Sequence, residues 1–209
     1  NEVLPIANRL DPEKGEIPMD LRDKMAELGY FGILIPEQYG GLGLGCSEYC
    51  IVTEELSRGW MSVASIIARG NLLIGAQEMS EEQRSRYLPR MAKGEFLGAF
   101  SMSEPNAGSD ISNISCRARK DGSGYLISGN KYWCTFADGA DFMIIIARTS
   151  DAPPGKRHLG LSMFFVEKKR GELPKGCSGA PIPKIGYFGW KTWELAFDDF
   201  RVDAADLIG

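Results

Sequence analysis

The chain has almost no histidine. His158 is the only one in 209 residues, and it lies in the Pro-, Gly-, Lys- and Arg-rich stretch from Asp151 to Gly160, which reads as a solvated loop. A Ser-His-Asp or Cys-His mechanism would have to run through it, so nucleophilic hydrolysis of that kind is not expected. Cysteines are few and unpatterned: Cys46, Cys50, Cys116, Cys134 and Cys177 are odd in number and contain no C-x-x-C pair. This argues against a disulfide framework or a zinc site and for a reducing compartment. Long apolar runs are missing too. The longest, Phe142 to Ala147, has the length of a strand, so no transmembrane helix is expected. Nor does one sign of charge dominate. With 24 basic and 28 acidic residues the formal charge is −4, which argues against nucleic acid as the main partner and leaves any anionic ligand to local groups. There is no internal repeat or low-complexity tract. The start, Asn1-Glu2-Val3, has neither an initiator Met nor a signal-peptide pattern, which implies that the chain begins inside a longer gene product.

What is present is ordinary globular composition, 44% hydrophobic and 25% charged, whose periodicity changes near Gly94. Before it the spacing is helical. Leu21, Met25 and Leu28 form a stripe stopped by Gly29, and the Gly-rich segment 32–45, which holds Pro36, must be irregular. A helix is expected over Ser47–Ser57 with Tyr49, Val52 and Leu56 inward. A buried one is expected over Met61–Met79. Ser80 and Gln83 fit a capping box that opens a helix disturbed by Pro89 and ending at Gly94. After Gly94 the period is two. Ile114, Cys116 and Ala118 alternate with polar residues, and residues 121–124 (DGSG) make a hairpin turn into Tyr125–Ser128. Gly129-Asn130 is read as a second turn into Lys131–Thr135, and Phe142–Thr149, Leu159–Glu167 and Thr192–Phe197 as further strands. The fold class is therefore α+β: an all-α helical domain over 1–96, then a small antiparallel barrel or sandwich over 97–209.

The segment richest in chemistry is 100–110 (FSMSEPNAGSD). A strand ends there in a loop of Pro, Asn, Gly and Ser, which exposes N–H groups and hydroxyls suited to a polar or anionic cofactor edge. The same residues are also good β-turn chemistry, and from pattern alone both readings stand.

The string 102–110 (MSEPNAGSD) resembles the signature of the acyl-CoA dehydrogenase family, and five more stretches follow suit in order. Residues 129–135 (GNKYWCT) are similar to the family's Gly-x-Lys-x-Trp-Ile-Thr strand. Residues 36–41 (PEQYGG) and 53–57 (TEELS) resemble motifs of its N-terminal helical domain. Residues 193–202 (WELAFDDFRV) and 207–209 (LIG) resemble the end of its middle domain. The matches span about Asp20 to Gly209. Two departures stand out: Cys134 occupies the common Ile position, read as a small core replacement, and Asp203 the usual Pro of the linker.

The resemblance implies FAD, with the loop from Phe100 through Ser101 and Met102 to Ser109 running along the flavin. Ser103 would bond the pyrimidine edge of the ring. Ser109 would lie near the pyrophosphate and the CoA part of the substrate. Trp133 would pack beside the flavin, with Cys134 next to it in the same strand, and Thr135 would donate its hydroxyl to N5. Read as residues alone, the two serines are turn hydroxyls, Trp133 a core residue and Thr135 a strand residue. The implied reaction is α,β-dehydrogenation of an acyl-CoA to a 2-enoyl-CoA, with electrons passed to an electron-transferring flavoprotein. The implied catalytic glutamate lies in a C-terminal helical domain beyond this chain, so no catalytic residue is assigned here: Glu104, Glu54 and Glu55 belong to other motifs. A homo-oligomer, dimer or tetramer, is implied for the full-length protein, in a bacterial cytoplasm or mitochondrial matrix, without metal, membrane or nucleic acid. The fragment alone is expected to bind FAD weakly and not to turn over. A same-fold flavin oxidase or monooxygenase, and a non-catalytic flavin- or CoA-binding module, remain open. The stretch Lys168–Pro183 reads as a loose insertion, hinting at a branched or dicarboxylic acyl-CoA such as methylsuccinyl-CoA.

Overall fold

A computed structural model describes residues 2–72 and 77–209. The chain divides into two units, 1–97 with 183–190, and 98–182 with 191–209.

The first unit is helical. It opens with α1 (Val3–Leu10), which the periodicity did not single out, and α2 (Met19–Glu27). Leu21 and Met25 of α2 are buried, but Leu28 is 62% exposed because it follows the last helical turn and leaves the stripe. Phe31, Ile33 and Ile35 are fully buried within the irregular segment. There Gly41 is obligatory, since a Cβ would sit 2.1 Å from the Ile35 carbonyl oxygen. Next come α3 (Cys46–Gly59), α4 (Met61–Gly70) and α5 (Glu81–Ala92). On α3, Tyr49, Val52 and Leu56 are half-buried. The helix expected over Met61–Met79 ends at Gly70; of the remainder, 73–76 lies outside the described residues and 77–79 is not helical. The end is built by Asn71, whose Oδ1 accepts the Leu34 N–H (2.9 Å) and whose Nδ2 donates to the Tyr30 and Ile67 carbonyls (2.8 Å each). One polar side chain thereby ties a helix terminus to the irregular segment, where unpaired main chain would be costly. The Ser80–Gln83 capping box forms in both directions.

Residues 183–190 belong to this unit although they follow strands in sequence. Ser62 takes hydrogen bonds from Gly189 N–H (3.3 Å) and, through its carbonyl, from the Trp190 indole (2.8 Å).

The second unit is one eight-stranded, mostly antiparallel sheet that does not close into a barrel. Its strands are β1 (Gly98–Ser101), β2 (Arg117–Asp121), β3 (Gly124–Thr135), β4 (Phe142–Arg148), β5 (Leu161–Glu167), β6 (Cys177–Pro181), β7 (Thr192–Asp203) and β8 (Leu207–Ile208). The order is β6-β7-β3-β2-β4-β5-β8. One edge of β4 is shared: β1 pairs with it in parallel over Gly98–Ser101, and β2 meets it only at Arg117 and Arg148. The apolar run of β4 is buried on both faces, with the Phe142 and Phe165 rings stacked 4.2 Å apart.

Two sequence expectations fail here for identifiable reasons. Gly129-Asn130 is not a turn, and β3 runs on through it for 12 residues. Gly129 has φ +137, and a Cβ there would lie 2.8 Å from the Cys116 Cα. The glycine serves close approach within the sheet and not chain reversal. The supposed insertion 168–183 contains β6, an edge strand ending on Pro181 and paired with β7 from Cys177↔Phe197 to Pro181↔Trp193. Its Gly and Pro hide it from a period-two reading, and an edge position tolerates both.

Candidate functional site

The site elements all lie in the sheet unit, and the central one is an irregularity in β3. Lys131 pairs with Leu195 of β7 and Cys134 with Trp193, so Tyr132 and Trp133 together face the single residue Glu194. This is a β-bulge, and within it Trp133 has φ +62, a left-handed conformation unfavourable for a side chain of this kind. Trp133 is 56% exposed, and its indole meets the Tyr132 ring edge-on at 4.9 Å. A large aromatic held in a strained conformation and turned to the outside does little for the fold, and strain of this sort gathers at binding sites.

The bulge frees the Tyr132 N–H from the β7 ladder, and it donates instead to the Ser103 carbonyl at 2.7 Å. The loop after β1 is thereby fastened to β3. The next link is an ion pair. Lys131 Nζ donates to Glu104 Oε1 and to the Met102 carbonyl, both at 2.9 Å, and the two side chains are 0% and 4% exposed. Glu104 also accepts from Ser115 N–H and Oγ (2.7 Å each) and Cys116 N–H (2.9 Å). Burial alone would raise its pKa, but the bonds from Lys131, Ser115 and Cys116 outweigh that and hold the carboxyl below its ordinary range. The turn 104–107 closes with two main-chain bonds between Glu104 and Ala107 (2.8 and 3.1 Å).

The loop and strand residues singled out from sequence are thus joined, with one exception. Phe100, Met102, Ser103 and Thr135 are half-buried and Trp133 exposed, while Ser101 and Cys134 are fully buried and offer a ligand main chain only. The Thr135 and Thr192 hydroxyls are 3.1 Å apart. Ser109 is exposed beyond the 104–107 turn. Residues that sequence reasoning passed over carry the framework. Lys131 entered only as one letter of a motif, and Arg148 not at all. The buried Arg148 guanidinium donates to the carbonyls of Ser112 (2.8 Å), Ile114 (3.2 Å) and Arg157 (3.0 Å), fixing the loop that follows Ser109. Buried thiols are inert: desolvation raises Cys116 to about 11 and Cys177 to about 12. Among the described residues no group of His, Cys, Asp and Glu could hold a metal ion, and no helix is long and apolar enough to cross a membrane.

An exposed indole face, the hydroxyls of Ser103 and Thr135, and the main chain of a rigid loop suit a planar heteroaromatic ring with hydrogen-bonding edges. Glu104 is not free to act as a base, since it is already committed to Lys131, Ser115 and Cys116.

Comparison with known proteins gives the following. Residues 1–95 match the family model "Acyl-CoA dehydrogenase, N-terminal domain" and 99–200 the model "Acyl-CoA dehydrogenase, middle domain". A (2S)-methylsuccinyl-CoA dehydrogenase of Cereibacter sphaeroides is 40% identical over 203 residues, covering 92% of this chain and 36% of that protein. The mitochondrial isovaleryl-CoA dehydrogenase of Pongo abelii is 40% identical over 190 residues, covering 89% and 44% respectively. Among solved structures, an FAD complex of PigA aligns with TM-score 0.85 at 27% identity, covering 99% of this chain and 54% of that one. The chain thus spans less than half of the length of these two curated relatives and about half of the solved chain.

Proposed function

The chain belongs to the acyl-CoA dehydrogenase family, and on that premise we propose that its sheet unit is the flavin-binding part of an FAD-dependent enzyme that oxidises the Cα–Cβ bond of an acyl-CoA thioester to the 2-enoyl-CoA. The observation that carries this reading is the strained, exposed Trp133 beside the tethered loop 102–104. In this reading Trp133 covers one side of the isoalloxazine, Ser103 bonds its pyrimidine edge, and Thr135 donates to N5. Ser109 serves the phosphate-bearing part of the ligands. When bound, FAD supplies the hydride acceptor. This chain's residues bind and orient it and keep water from the face that Trp133 covers.

The base that removes the substrate α-proton is assigned to sequence beyond this chain, and the commitment of Glu104 to its four hydrogen bonds supports that assignment. The relatives named for methylsuccinyl-CoA and isovaleryl-CoA favour a branched or dicarboxylic short-chain acyl-CoA as substrate. An electron-transferring flavoprotein is the proposed electron acceptor, and a homo-oligomer the proposed full-length state.

The test is the absorbance spectrum of the purified full-length protein before and after anaerobic addition of a panel of acyl-CoAs. Bleaching of a flavin band near ~450 nm is expected, strongest with a branched or dicarboxylic substrate. A bound flavin that no acyl-CoA bleaches would overturn the dehydrogenase reading in favour of an oxidase, monooxygenase or binding role. Absence of flavin would overturn the site itself.

A further inference from the structure

A buried ion pair is a poor way to stabilise a fold. Desolvation of two charges consumes most of their attraction, and well-packed apolar residues of similar volume do as well or better. Lys131 and Glu104 are 27 residues apart and wholly enclosed in the sheet unit, and neither is among the residues assigned above to the cofactor. What distinguishes them is the geometry of what they hold. Lys131 Nζ grips the Met102 carbonyl, the neighbouring Tyr132 N–H grips the Ser103 carbonyl, and Glu104 carries the rest of the loop to Ser115 and Cys116. Three consecutive loop residues are thereby set against the two residues that precede Trp133. An apolar pair could fill this volume, but it could not direct the Met102 carbonyl or anchor Glu104, the residues on either side of Ser103.

We propose that Lys131 and Glu104 are positioning residues: their buried pair locks the Met102–Ser103 main chain to the Trp133 bulge, and so sets the spacing between the two sides of the cofactor site. This rests on the flavin reading above. It makes the bulge and the loop one device. The bulge rotates the Tyr132 N–H out of the ladder toward Ser103, and the ion pair prevents the loop from sliding along β3. Two charges are more exacting for this purpose than a greasy contact, because each of their bonds has a direction.

The experiment is a double-mutant cycle on flavin affinity in the full-length flavoprotein, using Ser103→Ala, Lys131→Met and the double variant. If Lys131 acts by placing Ser103, the Ser103→Ala substitution weakens FAD binding about tenfold in the parent background, as loss of one direct hydrogen bond does, and has little further effect once Lys131 is Met. Lys131→Arg keeps the charge but changes donor geometry, and it serves where Lys131→Met does not fold. The expected result for it is a folded protein with weakened FAD binding and a shifted flavin midpoint potential, neither of which a merely structural role would produce. Additive effects of the two substitutions, or a Lys131→Arg protein with the parent's affinity and potential, overturn the proposal. A parent protein that binds no FAD would instead overturn the flavin reading, so the two failures are distinct.

Discussion

Replacing Trp133 by Asn separates the demands of the fold from those of the site. Trp133 has φ +62, where a residue other than Gly, Asn or Asp costs about 1–2 kcal/mol. Asn tolerates this conformation and recovers most of that. Against it stands the lost burial. With 56% of Trp133 exposed, less than half of a side chain that can bury about 150–250 Å² is covered, which at about 25 cal/mol per Å² is worth about 2–3 kcal/mol. The two effects largely offset each other, so the flavin-free protein should change in stability by less than about 2 kcal/mol, where truncating a buried neighbour such as Leu195 to Ala would cost about 2–5 kcal/mol. Flavin binding should respond differently. Losing an aromatic face against the ring removes about 0.5–1.5 kcal/mol beyond contact area, so affinity should fall about tenfold or more. The assay is urea denaturation of the flavin-free protein beside an FAD titration followed by flavin fluorescence. A Trp133→Asn variant destabilised by more than about 2 kcal/mol, or one that binds FAD as the parent does, would refute the claim that this residue is kept for the ligand and not for the fold.

Two further outcomes follow from named interactions. Asn71→Ala leaves the Leu34 N–H and the Tyr30 carbonyl without their partner. A fully buried orphan costs about 1–3 kcal/mol and both of these are part-buried, so a loss toward the lower end of the sum, about 2–4 kcal/mol, is expected by urea denaturation monitored on the helical circular dichroism band; a loss under about 1 kcal/mol would contradict it. Because the folded-state pKa of Glu104 is depressed, its contribution to stability is complete above the ordinary carboxylate value of 4.5 and is lost as pH falls through the lower folded value. Glu104→Gln should therefore be less stable than the parent at neutral pH, and the gap should close on acidification below that range; a pH-independent gap would show that Glu104 is not ionised in the fold.

Much of the architecture was legible because its signals are local. The stripe of Leu21 and Met25, the Ser80–Gln83 capping box and the apolar run of β4 each express themselves within a few residues, so period and end-signal suffice to read them. The ordered motifs likewise pointed to the loop 100–110 and to Trp133 and Thr135. Other features depend on a partner far along the chain. Gly129 reads as a turn until the residue leading into β2 is packed against it, when its missing Cβ becomes room for Cys116. β6 has no alternation of its own and exists because β7 offers it an edge. The parallel pairing of β1 with β4 and the return of 183–190 to the helical unit follow from packing and leave no mark in the local pattern.

The sequence by itself determined where helices give way to strands, which chemistries lack their residues, and which short segments resemble the family's motifs. Only the tertiary structure decided that Trp133 sits strained on a bulge, and that Lys131 reaches Glu104 and the Met102 carbonyl. The physical reason is range. Periodicity and capping act between neighbours in the chain, whereas a bulge and a buried ion pair are settled when strands of different sequence position register against each other and water is removed from between them.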